Sequence, residues 1–179
     1  MKYDPLNHDR HSIRLKGYDY SARGSYFLTI CSHGRECLFG DVVGEEMRLS
    51  EIGDIVGKCW AEIPNHFANV RLDKFVVMPN HVHGILALGM VGTRHAVSLP
   101  RTEQFGKPTR GSVPTIIRSF KSAATKRINR LRGIPGCPVW QGRFHDHIIR
   151  NDADLHRIRE YIETNPAKWA SDEENPDKR

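Results

Sequence analysis

The sequence predicts an α+β fold in which helices cover an antiparallel sheet. Strand-like and helix-like segments follow one another in the order strand, helix, strand, strand, helix, strand, helix along the 179 residues. The first six match the split βαβ arrangement of ferredoxin-like folds, and the seventh adds a C-terminal helix. With 39% hydrophobic and 27% charged residues, the chain has the composition of a globular protein and the length to form its own core. We therefore expect a single domain over residues 1–179.

The first half of the chain contains one predicted helix between strands. An apolar, aromatic and β-branched run, YFLTIC, follows Gly24 and is typical of a strand. Ser50 is a suitable N-cap, and apolar residues recur behind it at helical spacing until Pro64. Two further strand-like runs are separated by Pro79 and Asn80, which favours a hairpin. The predicted bounds are residues 26–31 for the first strand, 50–63 for the helix, and 70–78 and 81–88 for the hairpin.

In the second half of the chain, the sequence predicts an amphipathic helix, a strand and a last helix. Six apolar side chains of residues 112–132 fall within an arc of about 120° when projected on a helix. They are Ile116, Ile117, Phe120, Ala124, Ile128 and Leu131. A strand over residues 140–149 follows, and Asn151 then caps a helix that stops before Pro166. The remaining segments are an N-terminal arm, a long loop and a charged tail that we expect to fray, at residues 1–17, 89–111 and 171–179.

Positive charge is concentrated in one part of the sequence. The chain has 27 Lys and Arg against 21 Asp and Glu, a formal net charge of +6. No acidic residue lies between Glu103 and Asp146, whereas cations recur there, and this favours a phosphate-rich partner. The alternative is a solvated basic helix that acidic residues elsewhere balance in space. The candidate phosphate-contacting cations are Arg118, Lys121, Lys126, Arg130, Arg132 and Arg143.

The N-terminus and the cysteines argue against several protein classes. Residues 1–20 are polar and charged, without the apolar stretch of a signal peptide or a membrane span. The four cysteines, Cys31, Cys37, Cys59 and Cys137, form no CxxC pair, which argues against a zinc ribbon or a disulfide framework. We expect a cytoplasmic protein with reduced thiols and no membrane partner.

Two histidines in the third predicted strand form a candidate metal site. Because side chains alternate across a strand, His81 and His83 point to one face and Val82 to the other. Such a pair can bind a divalent ion while leaving coordination positions for other ligands, water or substrate. The alternative is a pair of exposed or hydrogen-bonded strand histidines without a metal.

Two other pairs of polar side chains are spaced so that both members of each pair could act at one site. His145 and His147 form a second HxH pair, for which a polar strand edge is the first interpretation and a competing ligand pair the second. In the last helix, Tyr161 and Asn165 are four residues apart, so the phenol and the amide can reach one site. A tyrosine beside an apolar stripe is more often a packing residue with a solvated hydroxyl than a nucleophile.

Several segments together resemble the single-tyrosine transposases of the HUH endonuclease superfamily, including the REP-associated tyrosine transposases. The resemblance spans residues 18–169, and residues 89–111 match the family least. Its most specific motifs correspond to VVMPNHVH and YIETNPAKW. The segments that match are YFLTICSHGRECLFG, VVMPNHVHGIL, SFKSAATKRIN, VWQGRFHDHIIRN and YIETNPAKW.

The resemblance implies metal-dependent cleavage and rejoining of single-stranded DNA at hairpin-flanked sites, through a 5′-phosphotyrosine intermediate. His81 and His83 match the paired metal-binding histidines of the family, and Tyr161 matches the nucleophile. Asn165 matches a position from which related enzymes supply a third metal ligand. The implied cofactor is Mg²⁺ or Mn²⁺.

The implied partner is single-stranded hairpin DNA, whose backbone the basic helix would guide. The resemblance thus implies a transposase that is cytoplasmic and associated with the nucleoid. Relatives include monomers and homodimers, so both states stay open. It also stays open whether Tyr161 serves the metal site of its own chain or that of a partner subunit.

Two rival functions stay open at this point. In the first, the fold and DNA binding remain, but the protein is a domesticated nickase or site-specific binder of chromosomal repeats. In the second, it is a non-catalytic ferredoxin-like regulator that binds a metal or small ligand through His81 and His83.

Overall fold

A computed structural model describes residues 15, 17–89 and 109–178 of the chain. Most of the predicted arm at residues 1–17 and of the predicted loop at residues 89–111 lies outside the described residues. The strands are β1 Gly24–Cys31, β2 Gly40–Val43, β3 Glu46–Leu49, β4 Val70–Val77, β5 His81–Leu88 and β6 His145–Ile149. The α-helices are α1 Glu51–Ala61, α2 Ile63–His66, α3 Val113–Arg132 and α4 Asp152–Thr164.

The main sheet has four strands in the spatial order β4-β5-β1-β6. All neighbouring strands are antiparallel, and Cys31 at the end of β1 lies opposite His81 at the start of β5. This order is the one expected of a split βαβ arrangement, so the predicted α+β class and antiparallel sheet are confirmed.

Helices cover both faces of this sheet. The core on one face joins Val82 and Leu86 of β5 to Trp60 of α1 and to the apolar side of α3. On the other face, Ile158 and Ile162 of α4 pack against Ile85 of β5. Because consecutive side chains of β5 point to opposite faces, the strand serves both cores.

The predicted caps and most boundaries agree with the structure. The Ser50 hydroxyl accepts a hydrogen bond from the Gly53 amide at 3.1 Å, and the Asn151 side chain accepts one from the Asp154 amide at 2.8 Å. The last strand is shorter than the predicted residues 140–149, because Trp140 forms only an isolated bridge with Ser32 before β6 begins.

The sequence prediction missed the hairpin of β2 and β3. Each strand has only four residues, and both are largely exposed, so their hydropathy does not alternate clearly. The turn places Gly44 at φ 59° and Glu45 at φ 68°, the paired positive values that a tight hairpin turn needs. A glutamate in this conformation is uncommon, which is why the sequence shows no usual turn signal.

The apolar side of α3 ends earlier than predicted. Five of the six predicted core residues are buried, whereas Leu131 is 49% exposed. Asn129 turns inward instead, and its amide donates a hydrogen bond to the Cys137 carbonyl at 2.8 Å. The last turn of α3 thus anchors the following loop.

The charged C-terminal tail is packed, and the prediction that it frays was wrong. Residues 166–171 and 176–178 form short 3₁₀ turns, and Asn175 is buried. The Asn80 amide donates to the Glu174 carbonyl at 2.7 Å, and Arg35 forms an ion pair with the Glu174 carboxylate at 2.9 Å. These contacts are polar, so hydropathy did not indicate them.

Among the described residues, no helix combines the length and the apolar character needed to span a membrane.

Candidate active site

Strand β5 brings His81 and His83 to one face of the sheet, as their spacing predicted. Both side chains are buried, and their ring centroids are 4.4 Å apart. Val82 between them points into the opposite core. The histidines are therefore not exposed, and the part of the alternative that remains is a hydrogen-bonded pair without a metal.

The hydrogen bonds of Asn80 determine the tautomer of His81. The Asn80 amide nitrogen donates to the carbonyl oxygens of Arg35 and Glu174, at 3.1 and 2.7 Å. Its oxygen lies 2.9 Å from Nδ1 of His81 and must act as the acceptor. Nδ1 of His81 therefore carries the proton, and Nε2 has a free lone pair.

His83 lies between a threonine and the tyrosine of α4. Its Nδ1 is 2.9 Å from the Thr29 hydroxyl, and its Nε2 is 3.3 Å from the Tyr161 hydroxyl. The ring of Phe27 stacks on the His83 imidazole with 5.3 Å between centroids. Tyr161 therefore lies beside the histidine pair of its own chain.

Burial keeps both histidines neutral. It lowers the pKa of His81 to about 4, although the nearby Asp172 carboxylate acts in the opposite direction. The pKa of His83 is well below its ordinary value, first because of burial and then because of the neighbouring His81. Neutral imidazoles are the form that binds metal ions.

Tyr161 is held by the core contacts of its helix but keeps access to solvent. Ile158 and Ile162, on either side of it, are buried, while Tyr161 itself is 38% exposed. Burial, reinforced by the charge of Asp172, raises the pKa of the Tyr161 phenol to about 12, and a hydrogen bond to Asn165 partly offsets this. The phenol is therefore protonated at neutral pH.

Asp172 completes a cluster that the sequence did not predict. One potential ligand atom from each of His81, His83 and Asp172 lies within 4.8 Å of the others. The Asn165 amide nitrogen donates to the Asp172 carboxylate at 3.0 Å. The tail that was expected to fray thus brings a carboxylate to the histidine pair.

This donor set fits a divalent metal ion. Nε2 of His81 and Oδ1 of Asn165 are buried without a hydrogen-bond partner among the described residues. Unpaired buried polar atoms are unfavourable, and a bound cation would satisfy both. Imidazole nitrogens with carboxylate or amide oxygens are ligands that Mn²⁺ accepts, and Mg²⁺ prefers the oxygens.

A cavity of about 580 Å³ opens beside these residues. The walls contain His145 and His147 of β6, together with Arg157 and Lys168. His147 is bound to the Asp154 carboxylate at 2.8 Å, and both histidines of β6 are exposed. The second HxH pair thus lines the cavity, outside the cluster of His81, His83 and Asp172.

The predicted phosphate-contacting cations lie apart from this cavity. Arg118, Lys126 and Arg130 are exposed on α3, and Arg132 is partly exposed in its last turn. The Lys121 ammonium donates to the carbonyl oxygens of Gln141 and Arg143, both at 2.9 Å. Lys121 thus fixes the loop before β6.

The comparisons with known proteins establish a family and a fold. No protein-family model matches the chain. A protein of Haemophilus influenzae described as uncharacterized is 39% identical over 176 residues, which cover 96% of each chain. The two proteins belong to one family.

The fold of this family has a solved counterpart. The structure of a REP-associated tyrosine transposase bound to a REP hairpin aligns with 88% of this chain and 74% of that chain, with a TM-score of 0.58. The identity is 20%, so the likeness establishes the α+β fold.

Proposed function

We propose that this protein is a metal-dependent single-stranded DNA endonuclease and strand transferase, that is, a transposase with Tyr161 as its nucleophile. The observation that carries the proposal is the Tyr161 hydroxyl 3.3 Å from Nε2 of His83, beside the cluster that includes His81 and Asp172. The solved transposase with this fold was bound to a REP hairpin, which supports single-stranded hairpin DNA as the partner.

His81, His83 and Asp172 would hold Mg²⁺ or Mn²⁺, with the Asn165 amide as a further oxygen donor. When bound, the ion would polarise the scissile phosphate and offset negative charge in the transition state. The acidic residues Asp172, Glu173 and Glu174 all line the cavity. Without a cation they would repel a phosphate, so this wall is consistent with a metal-dependent reaction.

The Tyr161 oxygen would form a bond to phosphorus while the bond to the 3′ oxygen breaks. The products are a 5′-phosphotyrosine linkage and a 3′ hydroxyl. Because the pKa of the phenol is about 12, it must lose its proton during attack, and the departing 3′ oxygen takes one up. The linkage preserves the phosphodiester bond energy, so the 3′ hydroxyl can reverse the exchange and rejoin DNA without a nucleotide cofactor.

The test incubates the full chain with end-labelled single-stranded hairpins taken from the flanks of its gene, with Mn²⁺ or with excess EDTA. Denaturing electrophoresis detects a covalent protein–DNA adduct. We expect an adduct with Mn²⁺ and none with EDTA. Tyr161→Phe removes the nucleophile while retaining the packing of α4, so it should bind DNA without forming the adduct.

Tyr18→Phe is the matched control, since Tyr18 contacts Tyr20 and Tyr26 and is not among the residues that line the cavity. It should form as much adduct as the wild type. An adduct with Tyr161→Phe, or full activity in EDTA, contradicts the proposal. Mn²⁺ binding without an adduct on any hairpin favours the metal-binding regulator instead.

A further inference from the structure

We propose that a groove between α3 and the loop of residues 133–142 holds an unpaired base of the DNA strand. The groove has a volume of about 900 Å³, which is within the range of ligand sites. It shares no lining residue with the cavity beside Tyr161. The inference takes single-stranded DNA as the ligand from the proposed function.

The charges along the groove suit a nucleic-acid backbone. Arg118, Lys126 and Arg130 line it on the exposed side of α3, and none of its lining residues is acidic. Three cations along one helix can follow successive phosphates of a flexible strand. Lys121, bound to two loop carbonyls, holds the opposite wall in place.

The inner wall of the groove suits a base. Apolar surface is supplied by Val139 and by the proline rings of residues 135 and 138. Asn129 and Trp140 also line the groove and are more than nine-tenths buried, at 7% and 8% exposure. Oδ1 of Asn129 and Nε1 of Trp140 have no hydrogen-bond partner among the described residues. Both atoms are buried beneath the wall, so a base would contact the apolar surface above them.

The groove is joined to the active site through the backbone. Trp140 bridges Ser32, and the Gln141 amide donates to the Cys31 carbonyl at 3.0 Å. Cys31 lies opposite His81 in the sheet register. The loop that forms one wall of the groove is therefore hydrogen-bonded to the end of β1, next to the start of the strand that carries the histidines.

The test measures binding of the full chain to two single strands in EDTA, which prevents cleavage. One is a thymidine oligonucleotide of about eight nucleotides, and the other is its abasic counterpart with the same phosphates. Charge alone predicts equal affinity. An occupied base site predicts tighter binding of the thymidine strand by about fivefold or more.

Two matched variants locate the site. Ser122→Leu/Thr125→Leu fills the groove without changing its charge, and should reduce the affinity ratio of the two strands to about one. Ser119→Leu/Ala123→Leu places the same side chains on exposed positions of α3 that do not line the groove, and should retain the ratio. Circular dichroism checks that both variants are folded.

The inference is overturned if the two strands bind the wild type equally, or if the two double variants change the ratio to the same extent. The results that would reject this inference differ from those that would reject the proposed function. An adduct with hairpin DNA together with a ratio of one rejects the groove and retains the nuclease. A ratio above about five that only the groove-filling variant removes supports the groove, whether or not an adduct forms.

Discussion

Asn80 shows how one side chain controls the chemistry of another. Because its amide nitrogen is committed to two carbonyl oxygens, its oxygen can only accept from His81. Nε2 of His81 is then available as a ligand, with its ring direction fixed by a neighbour. One of those two carbonyls belongs to Glu174, so the tail also supports this arrangement.

We expect the full chain to bind Mn²⁺ directly, and we expect His81→Ala and Asp172→Asn each to weaken binding by about tenfold or more. Asn165→Ala should have a smaller effect, because a neutral amide is a weaker ligand than an imidazole or a carboxylate. Isothermal titration calorimetry without DNA measures these affinities.

Glu173→Gln is the control for the metal titration, since Glu173 lines the same cavity but is not a member of the cluster. It should bind Mn²⁺ nearly as the wild type does. Wild-type affinity in Asp172→Asn, with binding lost in Asn165→Ala, would assign the third ligand to the amide instead of the carboxylate.

Strand β5 carries the histidine pair on one face and packs closely against a buried indole on the other. His83 faces the cavity, and the next residue, Gly84, faces Trp60 in the opposite core. A Cβ atom on Gly84 would lie 2.4 Å from Cζ2 of Trp60, which is fully buried. The glycine therefore lets the indole lie directly on the strand that carries the histidines.

Gly84→Ala should reduce the free energy of unfolding by about 1–3 kcal/mol, because the buried Trp60 ring has to shift. Urea unfolding followed by circular dichroism measures the change. Gly57→Ala is the control: its Cβ would have no neighbour closer than 4.0 Å, and alanine favours the interior of α1. If both substitutions stabilise the protein, the close contact with Trp60 is not a real constraint.

A bidentate ion pair joins helix α4 to the edge strand β4. Nε and Nη2 of Arg159 donate to the two carboxylate oxygens of Asp73, at 2.9 and 2.5 Å. Asp73 lies where the register of β4 on β5 shifts, between Leu72 and Phe75. This pair holds the helix that carries Tyr161 against the sheet.

Asp73→Asn should reduce stability at neutral pH by up to about 1 kcal/mol, since the pair is partly exposed. The hydrogen bonds from Arg159 lower the pKa of the Asp73 carboxyl, so the folded state binds its proton less readily than the unfolded chain. The contribution is therefore complete above the unfolded pKa, about 3.9, and is lost as the pH falls through the lower folded value. Urea midpoints of wild type and variant should differ at pH 7 and converge in acid. A constant difference across this range would contradict the assignment.

At the scale of the whole molecule, acidic side chains line the cavity beside Tyr161, together with Arg157 and Lys168, and are absent from the lining of the groove along α3. Three exposed cations of α3, Arg118, Lys126 and Arg130, lie along the groove, whereas the acidic residues of the tail line the cavity. A DNA strand would then be attracted along α3 and would meet the acidic wall only where a bound cation offsets it. Binding affinity and cleavage should therefore depend on different parts of the surface.

We expect Arg118→Gln/Lys126→Gln/Arg130→Gln to weaken binding of a hairpin with single-stranded flanks and to flatten its salt dependence. Each phosphate contact on a single strand contributes roughly 0.7 to the slope of log K against log salt, so three lost contacts reduce it by about two units. Fluorescence anisotropy over a salt series measures the slope. Lys121 is left unchanged, because its loss would also release the loop of residues 141–143.

The control for the salt series removes the same charge from exposed cations elsewhere, at Arg48, Lys58 and Arg71. It should leave the slope near that of the wild type. Equal slopes for all three proteins would mean that the DNA does not run along α3. Stronger binding of a fully paired duplex would also contradict a site built around one flexible strand.

The sequence by itself determined the order of the main strands and helices and the convergence of His81 with His83. These features depend on local rules: a period of two in strands, a period near four in helices, and capping by residues such as Ser50 and Asn151. The four-residue spacing also indicated that Tyr161 and Asn165 share one side of α4. A local pattern records such features because the residues concerned are close together in the chain.

Only the tertiary structure decided the place of Asp172 and the tautomer of His81. Asp172 is far from the histidines in the sequence, and the tail that carries it is held by polar contacts that hydropathy does not report. The inward turn of Asn129 in place of Leu131 likewise depends on a carbonyl of the following loop. Partners that meet only on folding leave no periodic signal in the chain, so the carboxylate of the cluster and the wall of the groove could be found only from their contacts.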